Sequence, residues 1–348
     1  MAPMLSRVWA GRMTPRTAST LLCAAALTLG CDGGAAVERG VDALAPTSTD
    51  YPNGPITIIA PANPGGGWDQ TARQIQQVLT ELGVLGVPIE VMNRGGAGGT
   101  IGLSDLITRH RNNPHTLMVF GQVMLGAIRT NDTPVSTEDT VPLARLLNEY
   151  EVVAVPADAP YDTFEELIDN FRRNPERISW AGGSAGGIDH VLVGLLALAA
   201  GVDPSRVNYI AHAGGGEAAV AVMGGHVSAG VSGFGEWKSY VGTGRMRLLA
   251  VSAAERIDGD DTPTIREGGL DVAIANWRGI VAPPGIDDEA RDWLVAALAR
   301  MRDSAAWQEI LRTNEWEDSF LTGTALDQFL TEERATADAV LRSIGLVQ

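Results

Sequence analysis

Residues 56–72, ITIIAPANPGGGWDQTA, decide how this chain is organised. Ile56, Thr57, Ile58 and Ile59 make a short, apolar, β-branched run, the pattern of a buried strand. Pro61 and Pro64 break it, Gly65, Gly66 and Gly67 follow, and Ile75, Val78, Leu79 and Leu82 then recur at helical spacing. A strand that passes through glycines into a helix leaves the first helical N–H groups unpaired at the sheet's edge. Glycines let a ligand approach that backbone, and the helix dipole favours negative charge there. Trp68 offers one indole N–H beside the turn, and Asp69 stands as the N-cap or first-turn acid. The stretch reads either as an anion site made of backbone or as a plain tight turn.

The same arrangement recurs along the chain. Residues 87–92 read as a strand that leads through Gly95, Gly96, Ala97, Gly98 and Gly99 into a helix over 101–107. Residues 177–181 lead through Gly182, Gly183, Ser184, Ala185, Gly186 and Gly187, with Asp189 and His190, into an apolar helix over 191–198. Residues 207–210 lead through Ala213, Gly214, Gly215 and Gly216 into a helix over 217–223. Further strands are expected at 116–120, 152–155, 227–231, 247–251 and 279–282. Thr163 and Glu166 spell a capping box before a helix over 164–174, and the chain from Asp287 onward reads as mostly helical. Alternating strands and helices give an α/β class. Two glycine turns precede residue 130 and two follow 180. Open α/β sheets bind ligands beyond the carboxyl ends of their strands, so two such lobes would frame a cleft lined by main-chain donors. That cleft suits a small multivalent anion.

Length and composition bound the rest. The 348 residues suit about two domains, and 45% hydrophobic against 20% charged residues indicates packed lobes. A net charge of −16 argues against nucleic acid or an anionic membrane surface as partner. Arg7, Arg12 and Arg16 precede an apolar run over 18–30 that ends at Cys31, the pattern of a bacterial export signal with a lipoprotein-like cleavage box. Residues 1–31 are therefore expected as a signal with Cys31 lipidated, and 32–50 as a flexible tether. Cys23 falls inside the signal, leaving no pair for an internal disulfide. Export without disulfides points to the periplasm, with a lipid as the only link to the membrane.

The chain resembles the solute-binding receptors of tripartite tricarboxylate transporters, the periplasmic Bug receptors. The matching pieces are Ala60-Pro61 through Asp69 to Arg73, Asn93 to Gly99, Gly182 to Gly187, Gly224-Gly225-His226, Pro263-Thr264 with Glu267-Gly268-Gly269, and Trp277-Arg278-Gly279 with Ala282-Pro283. They cover nearly everything from Pro52 onward in the expected order. The resemblance implies a type II periplasmic-binding fold, with one lobe from 51–150 and 277–348 and the other from 151–276. Strands at 152–155 and 279–282 would join them. It also implies a monomer without cofactor that hands a small organic carboxylate to an inner-membrane permease. The carried-over ligand residues are Gly65, Gly66, Gly67, Trp68, Asp69, Gly96, Ala97, Gly98, Ser184, Ala185, Gly186, Ala213 and Gly214. Asp189 joins them as a helix-start residue or as a partner for a ligand hydroxyl. Trp68 resembles the citrate-type receptors and tilts the expectation to a di- or tricarboxylate, citrate first.

Three other readings compete. Gly182-Gly183-Ser184-Ala185-Gly186 satisfies the G-x-S-x-G of a hydrolase nucleophile elbow, with His212 or His226 available downstream. Arg73 reads as an i,i+4 partner of Asp69, and Arg94 as a charge beside the second turn. No H-x-x-x-H or C-x-x-C spacing points to a metal, and neither nucleotide-binding glycine motif occurs.

Overall fold

The structure is a computed structural model that describes residues 51–347. The leader, Cys31 and the tether lie outside the described residues. β1 (Ile56–Ala60), α1 (Gly67–Glu81), β2 (Ile89–Asn93), α2 (Thr100–Arg109), β3 (Thr116–Gly121) and α3 (Gln122–Thr130) form the first half. β4 (Val141–Pro156) leaves it. α4 (Phe164–Arg173), β5 (Ser179–Gly182), α5 (Ile188–Ala199), β6 (Asn208–Ala211), α6 (Gly215–Met223), β7 (Ala229–Gly233), α7 (Phe234–Val241) and β8 (Met246–Val251) form the second half. β9 (Ala275–Ala282), α8 (Asp288–Arg302), α9 (Ala305–Thr313), β10 (Glu317–Leu321) and α10 (Gly323–Ser343) complete the chain.

The strand order β2-β1-β3-β9-β4-β7-β5-β6 contains one motif twice. In the first half three parallel strands, β2-β1-β3, are closed by antiparallel β9; in the second, β6-β5-β7 are closed by antiparallel β4. β4 serves both. Residues 141–150 pair with β9, and 151–156 pair with β7 and β8. At about 3.3 Å per residue, its 16 residues run about 50 Å, long enough to cross from one lobe to the other. The chain returns over 252–274, where Ser252 accepts from the Glu151 N–H and donates to the Ile274 carbonyl. β9 itself lies within the first sheet, between β3 and β4, so the expected crossing at 279–282 falls instead on the segment before it.

Each half has its own apolar core. Ile56, Ile58, Leu117, Phe120, Trp277 and Trp307 are buried in the first; Val153, Phe171, Trp180, Leu192 and Ile265 are buried in the second. α10 joins both, with Leu326 and Leu330 in the first core and Val340 and Leu341 in the second. Among the described residues no helix is long and apolar enough to cross a membrane. Three elements were not anticipated from the sequence, and β4 is far longer than the expected 152–155. α3 and α7 contain Gly126 and Gly235, which weaken their helical signal, and β10 (EDSFL) is a polar edge strand paired only with β4.

Candidate ligand-binding cleft

The first turn is held by its own acid. Gly65 adopts φ +85°, a left-handed conformation that favours glycine, and the Gly66 N–H donates to the Asn63 carbonyl at 3.1 Å. The Asp69 Oδ2 accepts the Gly65 N–H at 2.8 Å and the Arg73 Nε–H at 3.0 Å, while Oδ1 accepts from Asn93 at 2.8 Å. Burial works to raise the Asp69 pKa, but the hydrogen bonds from Arg73, Gly65 and Asn93 hold it below the usual carboxylate range. The cap position itself is Gly66. The Trp68 indole lies in the first core, 8% exposed, against Gly99 and Met124. Arg94 pairs with Asp105 at 2.9 Å.

The third turn repeats this geometry residue for residue. Gly186 has φ +79°, and the Gly187 N–H donates to the Ser184 carbonyl at 2.9 Å. The two N-cap glycines match, Gly66 at φ −75°, ψ 162° and Gly187 at φ −73°, ψ 177°. In place of Asp69, His190 accepts the Gly186 N–H on Nδ1 at 3.1 Å. That bond assigns a neutral ring with its proton on Nε2; burial lowers the imidazole pKa, in keeping with it. The ring stacks on Tyr209 with centroids 4.2 Å apart. Asp189, read from the sequence as a helix-start residue or a partner for a ligand hydroxyl, stands one residue before this position. Asp189 is 8% exposed and accepts the Gly183 N–H at 2.6 Å.

The second turn rests on α3: Gly98 packs on Ala127, and the Asn131 side-chain amide donates to the Ala97 carbonyl at 3.0 Å. At the fourth, Glu217 accepts the Ala213 N–H at 3.2 Å, Gly214 faces open space, and Gly215 lies against Ser232 and Glu236. The second and third turns meet over α3, where a Cβ on Gly186 would lie 3.0 Å from Thr130 and one on Gly126 would lie 3.0 Å from the Gly186 carbonyl. Arg278 ties the first turn to the end of β7. Its Nη1 donates to the Gly67 carbonyl at 3.2 Å and to Thr71 at 3.1 Å, and its Nη2 pairs with Glu149, whose carboxylate abuts Gly233. Several turn donors are thus taken by the protein's own acceptors. Among the described residues, none takes the backbone N–H of Trp68, Ala97, Gly98, Ser184, Ala185 or Gly214.

Beneath the turns lies a charged floor that the sequence reading did not single out as a group. Glu149, Glu151, Asp189 and Arg278 are all buried, and Glu236 lies beside them. Burial, reinforced by neighbouring Asp189 and Glu149, pushes the Glu151 pKa well up. Burial also lifts Asp189 to about 6, opposed by its bond from Gly183. Glu236 is raised by burial and by Glu149. Two acids at alternate positions just before an apolar run, Glu149 and Glu151, were the available signal for this floor. Arg278 lies in the Trp277-Arg278-Gly279 motif already quoted for the resemblance.

Ser184 does not have the surroundings of a nucleophile. It is exposed, α5 begins four residues after it, and among the described residues its hydroxyl has no histidine partner. Nearby His190 is committed to Gly186. Among the described residues no group of three or more His, Cys, Asp or Glu converges as metal ligands would.

A family model described as the tripartite tricarboxylate transporter family receptor matches residues 71–346. Protein BugT of Bordetella pertussis (strain Tohama I) is 30% identical over 250 residues, covering 70% of this chain and 75% of that protein. A TctC solute-binding protein from Polaromonas, solved without ligand, is 28% identical with a TM-score of 0.67, over 84% of this chain and 99% of that one. MatC from Rhodopseudomonas palustris, solved with bound malate, shares the fold at 24% identity and a TM-score of 0.70, over 84% of this chain and all of its own. This chain belongs to the tripartite tricarboxylate transporter receptor family.

Proposed function

We propose that this protein is an exported receptor, anchored through a lipid on Cys31, that captures a small organic carboxylate between its lobes. It then presents the acid to an inner-membrane permease. The observation that carries this reading is the set of unclaimed backbone N–H groups on both sides, Trp68, Ala97 and Gly98 from one lobe and Ser184, Ala185 and Gly214 from the other. A carboxylate satisfies such donors without any side-chain cation, and the helix dipoles behind them add to the attraction. Gly65, Gly66, Gly67, Gly96, Gly186 and Ala213 shape the approach, while Asp69 and Asp189 hold their own turns in place. Di- and tricarboxylates are the candidate class. Citrate stays first by the resemblance at Trp68, although the buried indole supplies only its backbone donor to the crevice. Each further negative charge on the ligand meets the acidic floor, which raises dicarboxylates beside it. The work is capture by closure, with no bond made or broken.

A thermal-shift panel of carboxylates on the protein from Asp32 onward tests the reading. An acid present at 100 times its Kd should stabilise by about 2.7 kcal/mol. Gly186→Val should abolish that shift, because valine strains at φ +79° and its Cβ meets Thr130 across the cleft. Undiminished affinity in this variant would remove the third turn from the site.

A further inference from the structure

Four acids and one base converge beneath the crevice: Glu149 and Glu151 on β4, Asp189 on α5, Glu236 on α7 and Arg278 on β9. Arg278 is already used by Glu149, Gly67 and Thr71. Glu151 is 1% exposed and Asp189 8%, and their carboxyl groups neighbour each other in this cluster. Two buried carboxyl groups side by side are stable only when one of them carries a proton. Consistent with that, Glu151 Oε1 accepts from Asn276 at 3.3 Å, while its Oε2 has no other donor among the described residues. Tyr209 donates to the Gly183 carbonyl at 2.9 Å, and His190 stacks on its ring, so neither brings a cation to the pair. Asp189 in turn holds Gly183, the residue next to the free N–H donors of Ser184 and Ala185.

We propose that anion capture in this crevice is coupled to net proton uptake by the Glu151–Asp189 pair, so that the receptor takes up its ligand together with a proton. The inference rests on the carboxylate reading above. A carboxylate seated on Ser184 and Ala185 adds negative charge a few ångströms from a pair that already shares one proton, with no uncommitted cation among the named groups to offset it. Proton binding there tightens and the ligand in turn binds better at lower pH, because the linkage is reciprocal. Burial lifts the Asp189 carboxyl to about 6. A rise of about one unit on binding corresponds to about half a proton taken up near pH 6.5, and to affinity falling about threefold per pH unit.

Isothermal titration of the protein with malate, adipate and citrate, each in buffers of low and high ionisation enthalpy near pH 6.5, reads the proton count directly. The heat should change with buffer in the sense of uptake for the acids that bind, after correction for the acid's own ionisation. The Glu151→Gln/Asp189→Asn double variant, which keeps both shapes and removes both titrating groups, should cut the uptake to less than half. Binding with no buffer dependence, or with proton release, overturns the proposal and leaves the receptor reading intact. Uptake undiminished in the double variant assigns the proton elsewhere and overturns it equally. Absence of binding heat from every acid removes the carboxylate reading, and the coupling with it.

Discussion

Replacing Arg278 by methionine should destabilise the protein by about 3–5 kcal/mol, a loss of the size seen when one partner of a buried ion pair is removed. Arg278 and Glu149 are 7% and 9% exposed at the side chain, so neither can relax into water. Methionine matches much of the stem and strands the Glu149 carboxylate, while the Gly67 carbonyl keeps the bond that the Thr71 hydroxyl donates at 2.9 Å. Most of the loss comes from the unpaired carboxylate, so adding Glu149→Gln to Arg278→Met should recover the larger part of it. Urea unfolding of the single and double variants provides the check. A single-variant loss under about 1 kcal/mol would show that the pair is solvated or dispensable. Ligand affinity should fall in the single variant too, because Arg278 fixes the start of α1, whose Trp68 N–H is one of the proposed donors.

The same residue shows where sequence reading stops. Period and punctuation made the βα units legible: β-branched runs ending in glycines located β1, β2, β5 and β6 within a residue or two, and with them the four turns. What those signals cannot carry is satisfaction of polar groups by distant partners. Only residues 152–155 of β4 looked like a strand, because Arg145, Asn148, Glu149, Tyr150 and Glu151 interrupt the apolar run ahead of them. Each finds a partner remote in sequence: Arg145 donates to the Ser319 carbonyl at 2.7 Å, and Asn148 and Tyr150 share the Glu317 carboxylate at 2.8 and 2.6 Å. β10 exists to supply those partners and is correspondingly polar. The equivalence of Asp69 and His190 was hidden for a related reason. Their shared role, accepting the N–H four residues back, depends on backbone conformation and not on residue type. Residue type does not pair an aspartate with a histidine, and the matching φ values at Gly65 and Gly186 set the phase.

Glu333→Gln should stabilise the protein above neutral pH, with almost no effect in acid. Glu333 lies on α10, 7% exposed, and its Oε2 accepts the Trp277 indole N–H at 2.8 Å. Burial raises its pKa from 4.5 to about 7, against the opposing pull of the Trp277 hydrogen bond and the Arg145 charge. The folded state therefore binds this proton more tightly than the unfolded chain does. The resulting stability is fully present below about pH 4.5 and is lost as pH rises through about 7. A shift of that size corresponds to about 3 kcal/mol in the ionised range. Glutamine keeps the acceptor for Trp277 and cannot ionise, so the variant escapes the loss. Comparing variant with parent at each pH cancels the other titrating groups, including Asp189, which is raised in the same sense. Unfolding free energies near pH 5 and pH 8 decide the matter: a difference that opens at the alkaline end supports a neutral Glu333 in the folded protein. A variant no more stable than its parent near pH 8 would mean that Arg145 keeps the carboxylate charged at little cost, and that α10 is joined to β9 by an ionic contact instead of a neutral one.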